Sequence, residues 1–88
     1  MFVISNETQF SNLKNLENHV TFANLPGMWE RTFTIYSCGG MFGAPGLIMA
    51  WQIGDSKYLK EMATFQSYST FATSTVAMVG FFEFLEIF

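Results

Sequence analysis

The sequence predicts an all-α integral membrane protein: a two-helix transmembrane hairpin preceded by a short amphipathic N-terminal helix. Two observations carry that reading. Thr32 to Gly54 is a run of 23 residues with no charge, and Met62 to Phe82 is a second run of 21. As helices they would measure about 34 and 31 Å, enough for a hydrocarbon core of roughly 30 Å. A third observation is the placement of Trp29 and Trp51 near the two ends of the first run, where aromatic residues mark membrane interfaces.

Size leaves few alternatives. Eighty-eight residues make one folding unit, and a soluble domain so short often leans on disulfides or a metal. Cys38 is the only cysteine and His19 the only histidine, so neither support is expected. Eleven Phe exceed what a small core needs. The net charge of −3, with Lys14, Arg31, Lys57 and Lys60 dispersed, excludes a nucleic-acid partner.

Residues 1–31 form the polar N-terminal segment. Met1-Phe2-Val3-Ile4-Ser5-Asn6-Glu7 lacks the basic start of a secretory signal and the arginines of a transit peptide, so the membrane address is expected in the chain's own apolar segments. Phe10, Leu13, Leu16 and Val20 recur at helical spacing between polar residues, giving an amphipathic helix that ends before Pro26-Gly27. With one Lys rather than a basic face, that helix suits a partner protein better than a lipid surface.

Residues 32–54 are the first expected transmembrane helix, kinked at Pro45, which cannot donate its amide to Met41. Gly39 and Gly43, and the row Gly46, Ala50, Gly54, stand four apart, a spacing that lets helix backbones approach closely. The competing reading is a broken helix lining an ion or substrate site, which the lack of any ionisable residue in the span disfavours. The glycines do not make a phosphate loop, since Gly46 is followed by Leu47-Ile48 rather than Lys and Ser or Thr.

Residues 55–61 hold four charges and serve as the loop; residues 62–82 are the second helix, its first half rich in Ser and Thr and tolerable only inside protein. Residues 83–88 close the chain. Glu83 and Glu86 could relay protons, but a helix end at the headgroups accounts for them as well. The balance of Lys and Arg across the segments is a tie, so it sets no orientation.

No catalytic or metal-binding constellation is present. Cys38 among apolar neighbours reads as a small buried residue rather than a nucleophile. One His and one Cys do not complete a metal site. Gln52, Gln66 and His19, with Asn24, are the residues that could ligate a pigment magnesium; bonding to a neighbouring helix explains the glutamines equally well.

The functional expectation is a non-catalytic accessory subunit, not an enzyme. It would brace the membrane part of a large energy-transducing complex in the mitochondrial inner membrane, a respiratory-chain complex or ATP synthase. Its partners would be the other membrane subunits of that hetero-oligomer and the lipid bilayer. No cofactor of its own is expected, bound lipid aside. Two alternatives stand beside it: a peripheral photosystem subunit carrying chlorophyll in a thylakoid membrane, and a self-assembling pore-former such as a holin or viroporin.

Overall fold

A computed structural model describes residues 1–9 and 16–87. Its frame is a three-stranded mixed sheet of order β1-β2-β3. Strand β1 (Val3–Asn6) runs parallel to β2 (Thr32–Ser37), with Val3 opposite Thr32 and Asn6 opposite Ile35. Strand β3 (Ala50–Ile53) runs antiparallel to β2, with Tyr36 opposite Trp51. Parallel neighbours need a long crossover. Here it contains short 3-10 turns at Leu16–Asn18, Phe22–Asn24 and Trp29–Arg31.

β2 is the central strand, and its composition follows from that position. Thr32, Phe33 and Thr34 are all buried, so both faces are covered and no charge is tolerated. β-branched and aromatic residues suit such a pleated surface. Phe33 stacks on Phe2, and both rings meet Tyr58 edge-on. The opposite face, three residues on, carries Tyr36 stacked on Trp51, which in turn meets Phe81.

Between β2 and β3 the chain makes one helical turn, α1 (Cys38–Phe42), and a 3-10 turn at Pro45–Leu47. The Ser37 hydroxyl caps α1 by accepting from the Gly40 N–H at 3.4 Å. Gly43 ends it in the left-handed region, φ 63°. Asp55 caps α2 (Ser56–Ser69), accepting from the Lys57 N–H at 3.0 Å. After Phe71, held at φ 69°, α3 begins (Thr75–Ile87), with the Ser74 hydroxyl accepting from the Ala77 N–H.

This architecture overturns the expected fold class. The protein is mixed α/β, and among the described residues no helix is long and apolar enough to cross a membrane. The run 32–54 is two strands joined by a helical turn and a 3-10 turn, so Pro45 starts that 3-10 turn instead of kinking a long helix. The run 62–82 is broken at residues 70–74. α2 and α3, of 14 and 13 residues, would each span only about 20 Å. The placement in a mitochondrial inner or thylakoid membrane falls with those spans. Most of the expected amphipathic helix, residues 10–15, lies outside the described residues. Strand β1 precedes that stretch, and the 3-10 turn at Leu16–Asn18 succeeds it.

Candidate functional site

A groove of about 430 Å³ lies between the β2–β3 face and α2. Ile35, Leu59 and Met62 supply its apolar wall, Gln52 and Gln66 two carboxamides, and Trp51 borders it from β3 while its ring packs on Tyr36 and Phe81 on the other face of the sheet. Register explains the gathering. Ile35 pairs with Gln52 across the ladder, so both side chains leave the same face of the sheet. Leu59, Met62, Ala63 and Gln66 follow one stripe of α2 at i, i+3, i+4 and i+7. The Gln52 amide points its Nε2 at the Met62 thioether, 3.1 Å away, a weak acceptor that a better one could displace. Such a groove suits a flat, mostly apolar molecule with a polar end.

A second cluster lies where the N-terminal segment meets the sheet. Glu7 is 8% exposed, and its backbone N–H extends the β1–β2 ladder by donating to the Ile35 carbonyl at 2.9 Å. Its carboxylate accepts from the Tyr36 hydroxyl at 2.9 Å, and His19 Nε2 stands 3.5 Å from its other oxygen. The latter spacing is that of an ion pair rather than of a good hydrogen bond. Burial, and then the Glu7 carboxylate, push the Tyr36 phenol above its ordinary value, because a phenolate there would be both desolvated and repelled. Burial likewise pushes the Cys38 thiol up.

Of the residues singled out from sequence, Gln52 and Gln66 share the groove, and His19 sits apart beside Glu7. Asn24 lies in a 3-10 turn of the crossover. The five small residues do not share a helix. Gly39 is in α1, Gly43 is its cap, Gly46 is in the Pro45–Leu47 turn, Ala50 opens β3, and Gly54 meets the Phe33 ring. Gly40, which belongs to neither four-residue spacing, is the tightest. A Cβ there would collide with the Thr8 backbone carbonyl. Glu83 and Glu86 are exposed on α3, and among the described residues no cluster could hold a metal ion. The Glu7–Tyr36–His19 group escapes sequence reasoning because its members are brought together across 29 residues. Only the β alternation around Glu7 could have hinted at it.

No protein-family profile matches the chain. Individual proteins do. The chain is 44% identical over 57 residues to kynurenine–oxoglutarate transaminase 3 of Mus musculus, covering 65% of this chain and 12% of the relative. It is 38% identical over 68 residues to kynurenine–oxoglutarate transaminase 1 of Homo sapiens, covering 77% and 16%. It is 44% identical over 59 residues to the Dictyostelium discoideum kynurenine–oxoglutarate transaminase, covering 67% and 14%. The chain therefore matches 12 to 16% of the length of these curated relatives. These relatives are named as enzymes, and they overturn the expectation of a non-catalytic accessory subunit. The photosystem and pore-former alternatives go with it.

Proposed function

We propose that this chain forms part of an aminotransferase, one that moves an amino group between a kynurenine-type aromatic amino acid and a 2-oxo acid. The observation that carries the proposal is the identity of 38 to 44% to transaminases of mammals and of a Dictyostelium species. The groove supports it. Ile35, Leu59 and Met62 offer an apolar wall to a substrate ring, and the Gln52 and Gln66 carboxamides can hydrogen-bond polar substituents.

Aminotransfer runs on pyridoxal phosphate, which serves as an electron sink when bound. Holding that group takes a lysine amine, a partner for the ring nitrogen and donors around the phosphate. The described residues do not fit it. Lys57 and Lys60 are exposed on α2, and the Lys57 ammonium lies 5.4 Å from the neighbouring Tyr58 ring. Asp55 is occupied in capping α2, and Arg31 is exposed at the start of β2 beside Glu30. Lys14 lies outside the described residues. The part assigned to these residues is accordingly the substrate groove and the sheet that frames it.

Two measurements test the proposal. The protein as isolated from its source, given pyridoxal phosphate, kynurenine and 2-oxoglutarate, should form glutamate. In a Trp29→Phe background, kynurenine should quench the remaining tryptophan fluorescence in a saturable way, and Gln66→Ala should weaken that quenching. Absence of glutamate above background would refute the activity; quenching unchanged by Gln66→Ala would refute the groove.

A further inference from the structure

The groove between the β2–β3 face and α2 carries no charge. None of the residues that line it is ionisable, and its polar side chains are the Gln52 and Gln66 carboxamides and the Thr73 hydroxyl. The cofactor of aminotransfer asks for different surroundings: an amine for its aldehyde, an acid at its ring nitrogen, and cations or N–H groups around its phosphate.

The cations of the described residues lie elsewhere. Leu59, Met62, Ala63 and Gln66 form the stripe that α2 turns to the groove. At about 100° per residue, Lys57 leaves the helix roughly 170° round from that stripe, and Lys60 roughly 110° round. Both are exposed, and the Lys57 ammonium lies 5.4 Å from the Tyr58 ring. Arg31 borders a separate hollow with Glu30, Phe2 and Tyr58. It precedes Ile35 by about 13 Å of extended chain. The start of α3, next to Thr73, adds a partial positive charge at one end of the groove but no amine.

Charge separates two occupants. Pyridoxal phosphate brings a phosphate dianion. A chain of net charge −3, with no cation at the groove among the described residues, opposes it. Kynurenine is a neutral zwitterion with an aromatic ketone. Its ring suits an apolar wall, and its oxygens accept from carboxamide N–H groups. Gln52 has such a donor to offer, since its Nε2 is directed at the Met62 sulfur, 3.1 Å away, a weak acceptor.

We propose that this groove binds a kynurenine-type amino acid non-covalently and without pyridoxal phosphate, and that neither Lys57 nor Lys60 anchors that cofactor. Independence from the cofactor presupposes the groove proposed above, and the measurements below separate the two.

Kynurenine is titrated calorimetrically into the protein as isolated from its source, once stripped of pyridoxal phosphate and once saturated with it. The two dissociation constants should agree within about threefold. Gln66→Ala should weaken binding to both forms by roughly fivefold, the loss of one hydrogen bond. A larger difference between the stripped and loaded forms, or binding to the loaded form alone, would overturn the proposal and leave the groove intact. No binding to either form, or binding indifferent to Gln66→Ala, would remove the groove and the proposal with it. Borohydride reduction of the loaded protein and peptide mapping should leave Lys57 and Lys60 without a stoichiometric pyridoxyl group; one such group at either lysine would refute the assignment. Circular dichroism confirms that Gln66→Ala retains the fold.

Discussion

Gly40→Ala sets two opposed effects against each other, and the structure says which wins. Within a helix, replacing Gly by Ala stabilises by roughly 0.5–1 kcal/mol. α1 is a single turn, so the gain sits at the lower end. Against it stands the position of the new methyl, which would fall on the Thr8 carbonyl. That obstacle is backbone, held by its neighbour: the Glu7 N–H is bonded to Ile35 and its carboxylate to Tyr36. A rotamer change cannot clear it, so the overpacking cost lies towards the top of the usual range of about 1–3 kcal/mol. The net expectation is a loss of about 2 kcal/mol, a fall in Tm of roughly 8–16 °C for a domain of this size. Urea and thermal unfolding followed by circular dichroism measure it. Gly46→Ala is the control, since nothing lies within 4 Å of its Cβ position, and it should stay within about 0.5 kcal/mol of the parent. A Gly40→Ala protein as stable as the parent would show that Thr8 does not pack on α1.

Two further outcomes concern the buried polar groups. The Tyr36 phenol is raised above the ordinary value of 10.0, so its contribution to stability is complete below about pH 10 and is lost as pH rises through the folded value. The urea midpoint should fall on that alkaline side, and Tyr36→Phe should flatten the fall; an unaltered profile would remove Tyr36 as its cause. Cys38, fully buried and with its thiol pushed up by burial, should react with iodoacetamide only after unfolding, and rapid labelling of the folded protein would contradict its position in α1.

The absence of charge from 32 to 54 was legible; its cause was not. A helix in lipid and a central strand covered on both faces both exclude charge. A short apolar run does not separate strand from helix by periodicity. What could have separated them was local chemistry. Thr32, Thr34 and Ile35 are β-branched, and Gly39-Gly40 and Gly43-Ala44-Pro45-Gly46 punctuate the run as turns do. In the second run the cluster of Ser and Thr ahead of Val76 marked a real break, where α2 ends and the Ser74 hydroxyl opens α3. The burial of Cys38 could be read from its neighbours. The pairing of Gln52 with Gln66 in one groove could not, because it depends on the β2–β3 register and on the angle at which α2 leaves Gly54.

For the same physical reason the C-terminal half resembles a membrane segment without being long enough to be one. A helix facing acyl chains and a helix facing another protein are both selected against charge on the buried side. They differ in what interrupts them. α3 carries Glu83 and Glu86, both exposed, on the face that also presents Val79, where the interior of a bilayer would oppose them. Apolarity that looks like a requirement for lipid is also what a helix shows on the side it turns to protein, as α3 does where Phe81 and Phe84 meet Phe42.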